Sequence, residues 1–253
     1  MPRPFTVLDR IETPDGVLEL RKRGERDFMI TIGRRVLMSS IIHRSELAVA
    51  ELACALIRDR PRARVLVGGL GLGYTLRAAL DALPKTAHVQ VAELNAAVKT
   101  WCEGPLAGLT GRAALDKRVS VTIGDVSTGI RRAAKVGAER LDAIILDLYE
   151  GPRDVKSGQR DPLYGMEILR HAHAALSEGG VYSVWAEEPN EAFEQRLRAV
   201  GFRVEYTRVR GGGPRHAVYV ATKQREPKPG SRVRAEANST RPRPAMRSKA
   251  RAR

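Results

Sequence analysis

The sequence predicts an α/β protein: a Rossmann-like, doubly wound and mostly parallel sheet with a C-terminal antiparallel hairpin, preceded by a small N-terminal antiparallel β meander. Three observations carry this. After Pro61, short β-branched runs alternate with helical stretches, the order of a parallel sheet covered on both faces. The first of those runs ends in Gly68-Gly69-Leu70-Gly71-Leu72-Gly73, directly before a helical stretch. Residues 5–40, by contrast, alternate in strand fashion around the turn Pro14-Asp15-Gly16.

In chain order, FTVLDRIET, VLELRKR and FMITIGRRVLM supply the meander, within a first unit spanning 1–44. At 45–58, SELAVAELACALIR places Leu47, Ala50, Cys54 and Ile57 at helical spacing, with Ser45 expected as N-cap. Strands follow at 64–68, 88–92, 119–123, 143–147, 180–186, 203–207 and 216–221. Helices are predicted at 74–83, 96–102, 126–135, 165–176 and 191–200. The last two strands share one preceding helix and enclose Gly211-Gly212-Gly213-Pro214, so they form the hairpin. This second unit spans 45–223. No internal repeat is apparent.

Residues 224–253 form a third unit. This tail holds ten Lys/Arg against two Asp/Glu and supplies over half of the net charge of +15. It has almost nothing apolar to bury, so a disordered basic tail is expected. It could solubilise the chain or make weak contact with a polyanion; no aromatic residue is interleaved for base stacking. Cys54 and Cys102 stand alone, which excludes a disulfide framework and a zinc motif; no metal site is expected. No apolar run is long enough to cross a bilayer, and the first residues lack a signal-peptide core, so the sequence predicts a cytoplasmic protein without membrane contact.

In a doubly wound sheet, ligands collect beyond the carboxyl ends of the strands. Glycines after the first parallel strand let a backbone approach a ligand, and the following helix offers unpaired N–H groups. The second strand ends at Glu93, suited to accept from both hydroxyls of a ribose. The third ends at Asp125, suited to accept from an exocyclic adenine amine. The fourth ends at Asp147, followed by Tyr149 and Glu150. A dinucleotide dehydrogenase leaves Asp125 and Asp147 without a role and has a third glycine where residue 76 is Leu; a P-loop is excluded by the missing Gly-Lys-Ser/Thr. His171 and His173 lie two apart on a helix and cannot share a metal.

These residues resemble the spermidine synthase family of polyamine aminopropyltransferases. The stretches that carry the resemblance are LMSSIIHRSELAVAELA, VLVGGLGLGYTLRAAL, VQVAELNAAV, VTIGDV, LDAIILDLYEGP, DPLYGMEILRHAHAALSEGGVYSVWAEEP and VYVAT, across residues 30–223. The resemblance implies that Gly69, Gly71 and Gly73 cradle the sulfur end of decarboxylated S-adenosylmethionine, with Glu93 on its ribose and Asp125 on its adenine. It implies Asp147 as the catalytic group that orients the attacking amine and takes its proton. Glu150, Tyr149, Tyr164, Trp185 and His43 are implied as polyamine-side residues, and a homodimer as the assembly. Two positions depart from the family: Leu72 stands where it has an Asp on the aminopropyl amine, and Glu150 where it has a second Asp. A methyltransferase using intact S-adenosylmethionine is the alternative on the same fold. A non-catalytic binder of nucleosides or nucleic acid is the alternative of another class.

Overall fold

The computed structural model describes residues 3–135, 137–149, 151–153, 162–209 and 216–224. The meander consists of β1 (Thr6–Thr13), β2 (Gly16–Arg23), β3 (Asp27–Ile32) and β4 (Arg35–Ser39), paired antiparallel in that order. After α1 (Arg44–Ala55), strands alternate with helices: β5 (Arg64–Gly68), α2 (Tyr74–Ala82), β6 (His88–Glu93), α3 (Ala96–Glu103), β7 (Val119–Ile123), α4 (Val126–Ala133), β8 (Leu141–Leu146), α5 (Met166–Ala175), β9 (Leu176–Ala186), α6 (Glu191–Val200), β10 (Phe202–Arg208) and β11 (Ala217–Lys223). The seven-stranded sheet has the order β10-β11-β9-β8-β5-β6-β7. Five strands run parallel; β11 is antiparallel to β9, and β10 to β11.

Side chains of a strand alternate between its two faces, and here both faces are apolar. Val65 and Val67 of β5, with Ala143 and Ile145 of β8, join one core that contains α1, α2 and α3 residues. Leu66, Ile144 and Leu146 point the other way, into a core built with α4, α5 and α6. The meander shares the first core: Leu18, Leu20, Phe28 and Ile30 are buried in it. Trp101 of α3 is almost fully buried, and its indole N–H donates to the Asp9 carboxylate of β1 at 2.6 Å, a polar tie between meander and main sheet. Cys54 and Cys102 are small core residues whose thiols burial pushes up to about 12.

Two expectations move. Ser45 is not an N-cap: α1 starts one residue earlier, behind His43, which makes no side-chain cap bond, and the Ser45 hydroxyl turns inward. Strand β9 begins at Leu176 rather than 180, because Leu176 pairs with Leu141 before a register shift. The turn 211–214 and residues 225–253 of the tail lie outside the described residues. Among the described residues, no helix is long and apolar enough to cross a membrane.

Trp101→Phe keeps the ring and removes the donor to Asp9. Loss of this charged hydrogen bond is expected to lower stability by about 1–2 kcal/mol, read as a shift of the urea midpoint, with faster amide exchange in β1.

Candidate active site

The strand order reverses between β5 and β8, since the chain winds from β5 outward to β7 and then returns to β8. A crevice opens at the carboxyl ends of strands flanking such a reversal. Here it is a cavity of about 630 Å³. Its floor is the glycine turn after β5, and its sides are the segments after β6, β7, β8 and β9. Leu18, Ile30 and Met38 of the meander close it from above.

The glycine turn and the segment after β8 are packed together. The Asp147 amide donates to the Gly68 carbonyl at 3.0 Å, and the Gly69 amide to Ala92 at 2.9 Å. Gly69 has φ +86°, and a Cβ there would run into the Asp147 carbonyl. Gly71, at φ +51°, has the Met38 thioether where its Cβ would be, 2.6 Å from the ideal position. Both glycines line the cavity. Gly73 does not: it precedes α2 with φ +86°, and its missing Cβ would face Thr110. The three glycines therefore do not form one cradle; Gly73 serves the start of the helix. Leu72 is fully buried, and its amide donates to Met38 Sδ at 3.0 Å.

Glu93, Asp125 and Asp147 all line this one cavity. Glu93 is buried, and each of its oxygens accepts one amide: Leu70 to Oε2 and Asn95 to Oε1, both at 2.9 Å. Its carboxylate is thereby fixed in orientation, with lone pairs left for a ligand. Asp125 caps α4 by accepting from the Ser127 amide at 2.7 Å through Oδ1, leaving Oδ2 for another donor. Asp147 accepts from Thr75, whose hydroxyl also lies 3.0 Å from the Glu46 carbonyl. Burial, then the charge of Glu46, push the Asp147 carboxyl up to about 7, and the Thr75 hydrogen bond partly offsets them. A hydroxyl has one proton for two acceptors, so protonated Asp147 completes the chain by donating to Thr75, which then donates to Glu46.

The remaining expected residues divide. Trp185 lines the cavity, its Nε1–H buried without a partner among the described residues. Tyr149 is half-exposed at the rim, 5.4 Å under the Arg35 guanidinium. Tyr164 does not line the cavity; its ring is buried against Phe193, at 5.6 Å edge to face, because α6 packs over it. His43 is not among the lining residues either: it stacks on Tyr74 at 4.0 Å and its Nδ1 sits 2.9 Å from the Ser40 carbonyl. Glu150 lies outside the described residues.

Other groups in the cavity were not singled out from sequence: Met38, Glu46, Glu187 and His216. Glu46 sits in the first turn of α1, on the same buried face as Ala50 and Cys54, where the apolar period reads as core alone. With Glu93, Asp125, Asp147 and Glu187 it makes five carboxylates, and no Lys or Arg lines the cavity among the described residues. In a chain of net charge +15, this concave acidic site focuses an attractive field for cations.

Asp147 keeps its proton in the folded state up to about pH 7, against an ordinary value of 3.8. Between those values the Asp147 site binds more protons in the folded state than in the unfolded chain, so its contribution to stability falls as pH rises from about 4 to about 7 and levels above. Asp147→Asn removes this slope. The difference between urea midpoints at pH 5 and pH 8 is expected to shrink in the variant.

No protein-family model and no curated protein matches the chain in sequence. Solved structures match in fold. The spermidine synthase of Thermotoga maritima superposes with a TM-score of 0.67 at 18% identity, covering 87% of this chain and 74% of that one. A spermidine synthase bound to the transition-state analogue AdoDATO gives 0.65 at 17%, covering 87% and 73%. A probable spermidine synthase from Corynebacterium glutamicum gives 0.55 at 18%, covering 86% and 80%. The chain thus has a spermidine synthase-like fold, meander included.

Proposed function

We propose that this chain is a transferase that moves an aminopropyl group from decarboxylated S-adenosylmethionine to an amine of a polyamine. The observation that carries the reading is the charge of the cavity: among the described residues, five carboxylates and no Lys or Arg line it, arranged around a glycine turn. Both proposed reactants are cations. The resident groups also fit a nucleoside. Glu93 is pre-oriented for a ribose diol, Asp125 keeps one oxygen for an adenine amine, and Trp185 offers a buried N–H that lacks a partner among the described residues.

When bound, the sulfonium cofactor supplies an activated carbon whose displacement releases neutral methylthioadenosine. The protein's share is alignment and proton removal. Asp147 accepts a hydrogen bond from the attacking amine and takes its proton as the new C–N bond forms; a carboxyl held near pH 7 suits a base at neutral pH. Glu46 and Glu187 attract ammonium groups, Glu150 adding to them in this reading. Holding two reactants in contact supplies much of the acceleration, by as much as about 7–11 kcal/mol in well-oriented systems.

The rival is methyl transfer from intact S-adenosylmethionine. The buried Leu72, in place of an Asp, favours it; that no cation for that cofactor's carboxylate lines the cavity among the described residues disfavours it. Calorimetry with each cofactor, followed by product analysis with putrescine, separates them. The expected result is tighter binding of the decarboxylated form and release of methylthioadenosine. Preference for the intact cofactor, with no methylthioadenosine, overturns the aminopropyl assignment. Asp147→Asn is expected to abolish turnover while cofactor affinity stays within a few fold; an equal loss of affinity would assign Asp147 to cofactor holding instead.

A further inference from the structure

Beside Asp147, the cavity contains a second hydrogen-bonded array that comes from opposite ends of the chain. The Ser45 hydroxyl of α1 lies 2.6 Å from Glu46 Oε2 and 2.8 Å from Nδ1 of His216, which immediately precedes β11. His216 lines the cavity, with Trp185 of β9 edge-on to its ring at 4.8 Å.

The protons in this array can be counted. Ser45 has one, and the Glu46 carboxylate can only accept, so the hydroxyl donates to Glu46. The contact between Ser45 and His216 then needs a proton from the ring, which places it on Nδ1. In the neutral ring Nε2 therefore carries the lone pair, and among the described residues no protein donor meets it. A carboxylate, a hydroxyl and an imidazole in line, the last at a cavity wall, form the arrangement that orients a base. Ser45 and Glu46 are both buried, so the array is held by packing as well.

We infer that His216 is a second proton acceptor of this cavity, fixed as its Nδ1–H tautomer by the positioning residues Ser45 and Glu46. This deepens the aminopropyl reading and rests on it for its substrate. A polyamine nitrogen arrives as an ammonium and has no lone pair to attack with. One N–H proton passes to His216 Nε2, its bonding pair stays on nitrogen, and the ring becomes an imidazolium that still donates to Ser45. After attack, the C–S electrons leave with sulfur and the new secondary ammonium gives its proton to Asp147. Two N–H protons thus have two acceptors, and both return to water. The titratable groups that share the cavity with His216 among the described residues are Glu46 on α1, Glu93 of β6, Asp125 before α4, Asp147 after β8 and Glu187 after β9, all acidic.

The test uses the full chain labelled with ¹⁵N-histidine, its His216 signals assigned by their absence in His216→Gln. The expected result is an Nδ1–H ring in the wild type and loss of that tautomer in Ser45→Ala, a change of one hydroxyl that spares the fold. In turnover with putrescine and decarboxylated cofactor, His216→Gln should lower kcat by about 100-fold near neutral pH, in the range of general bases. That deficit should narrow toward pH 10, where an alkyl amine loses its proton unaided. A purely structural role would not produce this pH dependence. An Nε2–H ring in the wild type overturns the inference whatever the kinetics show, as does wild-type kcat in His216→Gln. If the wild type turns over neither cofactor, the aminopropyl reading fails by itself. The tautomer, with a shift of the His216 ring nitrogens on adding putrescine, then decides whether the array accepts protons from an amine.

Discussion

The closest constraint in the molecule is the contact between the turn after β5 and the segment after β8. With Asp147 bonded through its amide to Gly68, and its carbonyl where a Gly69 Cβ would project, the two strand ends leave no room for a side chain at residue 69. A glycine at residue 69 is thus demanded by the protein's own packing, whatever the ligand. The consequence is functional all the same. The contact places the Asp147 side chain over α2 and within reach of Thr75, and it opens the crevice on the far side of the turn. Burial and the neighbouring Glu46 charge then make that carboxyl an unusually weak acid, so one steric fact leads to the electrostatics of the site.

Much of the architecture was legible because it is written in local patterns. Short, continuous apolar runs in β5 and β8, the glycines before α2 and a carboxylate at each successive strand end are each read within a few residues. Strands β5 and β7 and helix α6 fall where the patterns put them. The convergence of Glu93, Asp125 and Asp147 followed from topology, since parallel strands deliver their carboxyl ends to one side of the sheet.

What was not legible depends on contacts between distant residues. Ser45 looks like an N-cap because its type suits one; its hydroxyl instead turns inward, to Glu46 beside it and to His216, 171 positions away. Tyr164 stands beside the Pro162 and Leu163 of the cavity, yet α6 brings Phe193 over its ring and removes it to the core. His43 meets Tyr74, 31 residues further along at the start of α2, rather than the cavity. Gly73 belongs to a run that reads as one motif, although three successive glycines with positive φ point their Cα hydrogens at three different neighbours. The cavity's negative charge was the other hidden property, since in a chain rich in arginine no basic side chain among the described residues lines this one concave surface.

The meander's place above the cavity has a thermodynamic corollary. Leu18, Ile30 and Met38 are wall as well as core, so a molecule whose meander has swung away holds the carboxylates but not the enclosure. Observed ligand affinity is then the intrinsic affinity scaled by the fraction of molecules with that sheet seated. Substitutions along β1 or α3, remote from the cavity's carboxylates, can grade the protein's grip on a ligand without altering a single group that touches it.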